Sequence, residues 1–365
     1  MISSILIKPV SSRCNMHCTY CFYRRPLDPY SDEPIALMND EVLEALISQY
    51  MKMSKGMAIF SWQGGEPTLA GLRFYKKAVQ LQMKYAKPEQ IIGNALQTNA
   101  LLLDEEWAKF LKRYRFLVGV SLDGPEDIHD FYRGKGSYRK VMEAIKMLKA
   151  YDVELNVLSV ITDISERKGE ELCDFFLSQE LFYLQFIPCV ERDYQTNEVT
   201  PFSVNPEEFA KFLRKTFDKW FKNGSPSFSI RDFDNILMAY LGFEPELCQY
   251  KSECGNYVVV EYNGDVYPCD FFVFKEWKLG NIMEKPLDEI IKDNEVFEKF
   301  KKLKTNVYPE CENCKWRFIC NKGCPRFRVN YKGEILGKNY LCSAYKEFFS
   351  YSERRFKRLV QKMRE

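Results

Sequence analysis

The chain has 365 residues, of which 46% are hydrophobic and 28% are charged, and 53 basic and 51 acidic side chains leave a net charge of +2. This composition is typical of a soluble protein of about two domains, and the balanced charge excludes a broad positive surface for nucleic acid or anionic lipid. No apolar run is long enough to cross a bilayer, and the N-terminus lacks a signal-peptide pattern. We therefore expect a cytoplasmic protein without a nucleic-acid or membrane partner.

The first two-thirds of the chain alternates between apolar, strand-like runs and segments with helical periodicity. The strand-like runs are residues 3–10, 57–62, 91–98, 116–122, 154–162 and 182–188. The helical segments between them are, approximately, residues 39–53, 71–86, 104–114, 137–151 and 165–179. Repeated strand–helix units indicate parallel strands joined by right-handed crossovers, and hence an α/β sheet or barrel. Six strands are fewer than the eight of a complete TIM barrel.

The alternation ends near residue 190, where a polar loop begins. A helix predicted at 206–222 carries large apolar side chains that we expect in the core, namely Phe209, Phe212, Leu213, Phe217 and Trp220. Residues 257–271 predict a β-hairpin with Asn263 and Gly264 at its turn. The last quarter of the chain is rich in cysteines, and a helix of about residues 343–363 is predicted to follow it.

The 13 cysteines require an explanation other than disulfides if the protein is cytoplasmic. Metal ligation is the leading explanation. Only two histidines are present, His17 and His129, so a mixed Cys/His zinc site is poorly supplied. Cys173 and Cys189 lie in apolar surroundings, and we expect them to be small core residues.

Three cysteines follow the first predicted strand at the spacing C-x3-C-x2-C, and they are Cys14, Cys18 and Cys21. Three thiolates this close can hold three irons of a [4Fe–4S] cube and leave the fourth iron open for a substrate. The alternative is a zinc site that borrows a fourth ligand. The position at the end of the first strand, together with the aromatic Tyr20, favours the iron–sulfur cluster.

Residues 14–21 match the signature C-x3-C-x-aromatic-C and so resemble the radical S-adenosylmethionine (SAM) superfamily. This resemblance implies a partial (β/α)6 TIM-like barrel in an α/β fold. It also implies that the amino and carboxylate groups of SAM bind the open iron, and that one electron cleaves SAM to give a 5′-deoxyadenosyl radical. In such proteins the cofactor supplies the difficult chemistry and the protein positions it.

Short motifs at the ends of the next three predicted strands fit the same superfamily. They are "QGGEP" at 63–67, "LQTNA" at 96–100 and "VSLDG" at 120–124. A GG or DG turn is common by itself, but α/β barrels build their sites at successive strand ends, so the co-occurrence carries the prediction. The resemblance implies a set of SAM-binding residues, namely Tyr20, Tyr23, Gln63, Gly64, Gly65, Glu66, Gln97, Ser121, Asp123 and Arg133.

Eight further cysteines lie between residues 248 and 342. Four thiolates hold either a zinc ion or a [4Fe–4S] cluster, so the spacing alone leaves both open. The arrangement resembles the SPASM domain, which implies two auxiliary [4Fe–4S] clusters and therefore three clusters in all. By this resemblance the first auxiliary set is Cys248, Cys254, Cys269 and Cys324. The second auxiliary set is Cys311, Cys314, Cys320 and Cys342.

The predicted domains are a radical SAM barrel at 1–235, a SPASM domain at 236–342 and a C-terminal helix at 343–365.

Longer stretches resemble the anaerobic sulfatase-maturating enzymes over nearly the whole chain, among them "QGGEPTLAG", "LVGVSLDGP" and "VYPCDFFV". That family oxidises a cysteine or serine in a Cys/Ser-x-Pro-x-Arg motif of a sulfatase to Cα-formylglycine. The resemblance implies an unfolded or nascent sulfatase as substrate and an electron donor such as flavodoxin or ferredoxin. Two departures are Ala100, where a glycine is usual, and the loop at 190–205, which aligns poorly.

The same resemblance gives Asp270, which directly follows Cys269, the role of catalytic base. After the radical has removed a hydrogen from the substrate Cβ, a thiol or hydroxyl proton and one electron must still leave. A carboxylate can take that proton. The residues alone favour a loop carboxylate that accepts hydrogen bonds from backbone N–H groups, and the resemblance favours the base.

The sequence is also compatible with two other functions. The first is a radical SAM–SPASM enzyme that forms a thioether or carbon–carbon crosslink in a ribosomal peptide. The second is a non-catalytic iron–sulfur or zinc scaffold, and the open three-cysteine site beside "GGEP" argues against it.

Overall fold

The computed structural model describes residues 2–24, 28–30, 37–305 and 308–365. Ten strands lie within these residues: β1 (Ser4–Lys8), β2 (Met57–Trp62), β3 (Ile91–Thr98), β4 (Leu117–Ser121), β5 (Leu155–Ile161), β6 (Tyr183–Pro188), β7 (Ser229–Ile230), β8 (Tyr257–Glu261), β9 (Asp265–Tyr267) and β10 (Gly280–Asn281). The first six correspond to the six strands predicted from the sequence, and the α/β fold class is confirmed.

Thirteen α-helices occur in the same described residues: α1 (Asp40–Met53), α2 (Gly71–Tyr85), α3 (Glu105–Arg113), α4 (Glu126–Arg133), α5 (Ser137–Ala150), α6 (Gly169–Ser178), α7 (Pro206–Phe221), α8 (Arg231–Leu241), α9 (Leu287–Ile291), α10 (Glu295–Thr305), α11 (Pro309–Glu312), α12 (Arg317–Cys320) and α13 (Cys342–Arg364). Helices α1, α2, α3, α5, α6, α7 and α13 match predicted segments. None of the helices in the described part is long and apolar enough to cross a membrane.

The chain divides into two compact units, and the first comprises residues up to Ser121, Arg133–Leu155 and Gly255–Lys301. Its strands are ordered β10-β9-β8-β1-β2-β3-β4, and β1 to β4 run parallel. The predicted hairpin of β8 and β9 joins this sheet because β8 pairs in parallel with β1. That register sets Lys8 of β1 directly opposite Glu261 of β8.

The second unit comprises Leu122–Tyr132, Asn156–Cys254 and Lys302–Glu365, and its strands β5, β6 and β7 are parallel. Helix α7 begins at an Asn205 N-cap followed by Pro206, a favoured start for a helix. Its predicted core residues are buried, and the Phe217 ring packs against Phe348 and Phe356 of α13. Each such buried side chain contributes about 1.5–3 kcal/mol.

These two units are defined by contacts within the chain, whereas the domains at 1–235, 236–342 and 343–365 were predicted from family resemblance. The hairpin of the predicted SPASM domain lies in the first unit, together with β1 to β4. The sequence-based domain boundaries stay predictions.

Candidate active site

The loop that follows β1 carries the three predicted cluster ligands, Cys14, Cys18 and Cys21. Two backbone hydrogen bonds hold this loop against the end of β2: the Gly65 N–H donates to the Ser11 carbonyl (2.8 Å) and the Glu66 N–H donates to the Arg13 carbonyl (2.7 Å). A Cβ on Gly65 would overlap the carbonyl oxygen of Arg13. Only glycine therefore allows the two loops to approach this closely.

Cys14 has the surroundings expected of a cluster ligand. Its Sγ accepts hydrogen bonds from the Met16 N–H (3.3 Å) and from Nδ2 of Asn99 (3.6 Å). Burial raises the pKa of the Cys14 thiol to about 11, and the charges of Glu66 and the two neighbouring cysteines add to the effect. Hydrogen bonds to sulfur tune iron–sulfur clusters, and a bound metal takes the place of the thiol proton. The loop therefore fits a cluster held by three thiolates.

Glu66 is completely buried, and both of its oxygens have protein partners. Oε1 accepts from the Thr68 N–H (3.0 Å), the Thr68 hydroxyl (2.6 Å) and the Thr98 hydroxyl (2.7 Å), and Oε2 accepts from the Asn99 N–H (2.7 Å). Burial raises the pKa of Glu66, and these hydrogen bonds oppose the rise. The carboxylate thus ties the end of β2 to the end of β3, and its contact with SAM stays a prediction.

Other predicted SAM-binding residues of the first unit lie at the ends of β3 and β4, in the cysteine loop and at the end of α4. Gln97 Nε2 donates to the Ser121 hydroxyl (3.0 Å), and the Arg133 guanidinium lies 5.5 Å from the centre of the Tyr20 ring. Ala100 has a φ of 63°, in the left-handed region that favours glycine. The family glycine that Ala100 replaces therefore has a conformational reason.

Asp123 belongs to the second unit and is buried there. Its Oδ1 accepts from the Val160 N–H (3.0 Å), and its carbonyl accepts from the Ser159 hydroxyl (3.1 Å). Its own N–H donates to Nδ1 of His129 (3.3 Å). These bonds fix the backbone that follows β4, and the SAM contact of Asp123 stays a prediction.

Asp270, the predicted base, is 5% exposed and joins two other predicted residues. The Tyr23 hydroxyl donates to Oδ2 of Asp270 (2.5 Å). Gln63 Nε2 donates to the same oxygen (3.3 Å) and to the Tyr23 hydroxyl (3.0 Å). Burial, followed by the charge of Asp270, raises the pKa of Tyr23 well above its ordinary value, so Tyr23 keeps its proton and acts as a donor. The other oxygen, Oδ1, accepts no hydrogen bond within the described part of the chain.

Lys8 completes this group, and the sequence reasoning missed it. The side chain is 3% exposed, and Nζ lies 2.6 Å from Glu261 Oε1, 3.9 Å from Asp270 Oδ1 and 4.8 Å from the centre of the Tyr23 ring. Burial lowers the pKa of Lys8, but the attraction of Glu261 and Asp270 outweighs it and raises that pKa. The available signal was a lysine that ends an otherwise apolar strand.

The neighbours of Asp270 in the chain, Cys269 and Phe271, have aromatic partners. The Phe271 ring lies 4.6 Å from the Phe22 ring, and the Tyr257 hydroxyl lies 3.2 Å from Cys269 Sγ. The predicted auxiliary ligand Cys269 and the predicted base Asp270 are therefore held in the same unit as the first cysteine loop.

The other seven predicted auxiliary ligands lie in the second unit, where electrostatic interactions group them. Cys324 interacts with Cys248 and Cys254. Cys320 interacts with the remaining members of its predicted set, and the four together line one cavity: Cys311, Cys314, Cys320 and Cys342. Burial raises the pKa of the Cys320 and Cys324 thiols to about 12.

No three His, Cys, Asp or Glu side chains in the described ranges are close enough to ligate a single metal ion. A [4Fe–4S] cube binds each thiolate at a different iron, which spreads the ligands further apart. Cys173 and Cys189 are buried, and burial raises the pKa of each thiol to about 12.

Two family models match the chain. The radical SAM superfamily matches residues 9–176, and the SPASM iron–sulfur cluster-binding domain matches residues 248–315. The cysteine-type anaerobic sulfatase-maturating enzyme of Clostridium perfringens is 41% identical over 364 residues, which cover 98% of this chain and 97% of that protein. The serine-type enzyme of Bacteroides thetaiotaomicron is 38% identical over 369 residues, which cover 95% of this chain and 88% of that protein.

A solved structure is also similar over the whole chain. It is described as native anSMEcpe with bound AdoMet and Cp18Cys peptide, and it superposes with a TM-score of 0.91 at 39% identity. The match covers 98% of this chain and 99% of that one.

Proposed function

The chain belongs to the anaerobic sulfatase-maturating enzymes, and from this membership we propose how its residues oxidise a cysteine or serine of a sulfatase to Cα-formylglycine. It is a radical SAM enzyme with a SPASM iron–sulfur domain. When bound, SAM and the three clusters supply the radical that removes a hydrogen from the substrate Cβ and the acceptor for the remaining electron. The observation that carries the proposal is the hydrogen-bonded group of Tyr23, Gln63 and Asp270.

In this proposal the cysteine loop after β1 holds the SAM-binding cluster, and the Gly64–Gly65 turn lets that loop approach the site. Glu66 stabilises the turn by joining the ends of β2 and β3. Gln97, Ser121, Arg133 and Tyr20 contribute to the SAM pocket. The eight later cysteines hold the two auxiliary clusters, and the raised pKa of the Cys320 and Cys324 thiols disfavours a free thiolate at these two positions.

Asp270 receives the thiol or hydroxyl proton of the substrate. Tyr23 and Gln63 hold Oδ2 by hydrogen bonds, which orients the carboxylate. Oδ1 keeps its lone pairs free of hydrogen bonds within the described residues, so it is the oxygen that accepts the proton. The Lys8 ammonium, anchored by Glu261, faces this oxygen. The oxidation thus removes one hydrogen atom, one proton and one electron from the substrate residue, which gives the aldehyde directly from serine. The thioaldehyde formed from cysteine becomes the aldehyde when water replaces its sulfur, which leaves as hydrogen sulfide.

The substrate is an unfolded or nascent sulfatase segment with the motif Cys/Ser-x-Pro-x-Arg. A peptide-binding relative is consistent with this class of substrate, because the similar solved structure is described with a bound peptide. The electron donor is a small redox protein such as flavodoxin or ferredoxin, and the reaction takes place in the cytoplasm. Sequence identity of 41% to a sulfatase-maturating enzyme over 98% of this chain favours this function over crosslinking of a ribosomal peptide.

The experiment compares wild-type enzyme with Asp270→Asn under anaerobic conditions, with SAM, a reductant and peptides that contain either Cys or Ser in the motif. We expect wild-type enzyme to give a peptide aldehyde, detected by mass spectrometry after reaction with a hydrazine. Asp270→Asn should still release 5′-deoxyadenosine but form about 100-fold less aldehyde, the loss typical of a missing general base.

The matched control is Asp265→Asn, which removes a carboxylate of the same hairpin that pairs with Lys278 at 2.6 Å. We expect this variant to keep its aldehyde yield. Undiminished aldehyde from Asp270→Asn would remove Asp270 from the proposal. Release of 5′-deoxyadenosine by wild-type enzyme with neither peptide changed would contradict the substrate.

A further inference from the structure

Lys304 is a buried cation among the cysteines of the second unit. Its side chain is completely buried, and Nζ donates to the carbonyl oxygens of Cys248 (2.9 Å) and Gln249 (3.0 Å). The cysteines that act electrostatically on its ammonium come from both predicted auxiliary sets, namely Cys254, Cys324, Cys248 and Cys320. A buried ammonium normally has a carboxylate partner. Here the predicted cluster ligands take the place of that partner.

Arg328 repeats the pattern. It is 4% exposed, and its guanidinium donates to the carbonyl oxygens of Lys322 (3.0 Å) and Leu303 (2.5 Å). Its Nε is buried without a hydrogen-bond partner in the described residues. A guanidinium stays ionised in proteins, so this position holds a permanent charge.

The surroundings of Arg328 link the two predicted auxiliary sets. Its guanidinium lines the same cavity as the four cysteines of the second set. The cysteines that act on it electrostatically come from both sets, namely Cys311, Cys324, Cys254 and Cys320. Lys304 and Arg328 therefore share three of these cysteines, and together they place two positive charges among the ligands of both sets.

We propose that Lys304 and Arg328 form a fixed cationic bridge that serves both auxiliary clusters and makes them better electron acceptors. This inference rests on the proposed function, which supplies the clusters and the electron. A cluster held by four thiolates gains one more negative charge on reduction, and nearby positive charge in a low-dielectric interior stabilises that reduced form. The bridge therefore favours transfer of the electron that leaves the substrate.

The variants separate charge from hydrogen bonding. Arg328→Gln removes the charge and keeps an amide donor, Arg328→Lys keeps the charge and loses the guanidinium geometry, and Lys304→Met removes the other charge at similar length. The matched control is Lys315→Met. Lys315 follows Cys314 in the chain, but it is exposed and pairs with Glu353 at 2.7 Å.

The measurement is an anaerobic redox titration of the fully loaded enzymes, followed by electron paramagnetic resonance. We expect Arg328→Gln and Lys304→Met each to bind the auxiliary-cluster electron about tenfold more weakly, a shift of about 59 mV to more negative potential for a one-electron couple. Arg328→Lys should stay close to wild type, and Lys315→Met should be unchanged. A purely structural role would not move the potential in this charge-dependent way.

Equal potentials in wild type, Arg328→Gln and Lys304→Met would overturn the proposal. A shift in Arg328→Lys as large as that in Arg328→Gln would also overturn it, because hydrogen bonds and not charge would then be responsible. If Arg328→Gln loses iron, Lys304→Met decides. The two proposals fail separately: shifted potentials without wild-type aldehyde contradict only the substrate reaction, whereas aldehyde without shifted potentials contradicts only the bridge.

Discussion

Buried charged side chains distinguish the functional regions of this protein at the residue scale. Lys8 and Glu261 lie opposite each other on paired strands, and each compensates the other inside the first unit. Removing one partner of such a pair leaves an uncompensated charge and destabilises a fold by about 3–5 kcal/mol. The pair is weak evidence for stability, since apolar replacements often do as well. Lys8 Nζ lies 3.9 Å from Asp270 Oδ1, so the pair also places a charge beside the proposed catalytic base.

Glu166 gives a prediction about pH. It is 2% exposed, and its Oε2 accepts from the Asn205 N–H (2.7 Å) at the start of α7. Burial raises the pKa of Glu166 from 4.5 to about 7. The fold therefore favours the protonated acid, and its stabilisation is complete below about pH 4.5 and is lost as the pH rises through about 7. A shift of this size corresponds to about 3 kcal/mol.

We expect Glu166→Gln to unfold at the same temperature as wild type near pH 4.5 and at a higher temperature at pH 8, because glutamine does not ionise. Thermal unfolding followed by circular dichroism at the two pH values measures the difference. Glu44→Gln is the control, since the pKa of Glu44 is lowered by its hydrogen bonds to Lys84 and Tyr85. Parallel pH profiles for wild type and Glu166→Gln would show that burial of this carboxyl does not affect stability.

At the scale of elements, the contact between the cysteine loop and the end of β2 depends on Gly65. Its Cβ would overlap the Arg13 carbonyl, so Gly65→Ala must separate the two loops and break the bonds at Ser11 and Arg13. We expect this variant to lose iron from the SAM-binding site and to release 5′-deoxyadenosine at least about tenfold more slowly, as expected when neighbouring groups of a site lose their geometry.

Gly93→Ala in β3 is the matched control for that prediction. A Cβ there would meet only Ile59, at an ordinary 3.7 Å, so iron content and SAM cleavage should stay at the wild-type level. Iron analysis and chromatography of 5′-deoxyadenosine measure both variants. A Gly65→Ala enzyme with full iron content and normal cleavage would show that the close approach of the loops is dispensable.

The elements that were predicted correctly have local patterns. Apolar runs predicted the strands β1 to β6, and helical periodicity predicted α7 and α13. The pairing of β1 with β8 joins Ser4 to Tyr257, and no local pattern marks a contact over that sequence separation. No predicted segment covers α8, which precedes the cysteine-rich region, or α10, which lies within it.

The same limit applies to the candidate site. Motifs and family resemblance indicated Tyr23, Gln63 and Asp270 by residue type, and the structure brings these three together. Lys8, Lys304 and Arg328 were missed because lysine and arginine are mostly exposed, and only Lys8, at the end of an apolar strand, has a local signal of burial. Burial is a property of the whole fold, so it becomes visible only when the fold is known.

For the whole molecule, the cysteine sets predict the metal content. Three [4Fe–4S] clusters require about twelve irons and an equal amount of sulfide per chain. Joint replacement of Cys14, Cys18 and Cys21 by alanine should remove one cluster and leave about eight irons, because the other two sets keep their ligands. The same loss is expected when the second auxiliary set, Cys311, Cys314, Cys320 and Cys342, is replaced.

Cys173→Ala is the control for this count, because Cys173 is a buried core residue outside the three sets, and about twelve irons should remain. Iron and sulfide are measured after anaerobic purification of each variant. Zinc without sulfide in the wild-type protein would contradict the cluster assignment. Loss of about eight irons on replacing one set would contradict the partition, because that set would then contain ligands of two different clusters. Independent losses of about four irons each would support three separate cubes.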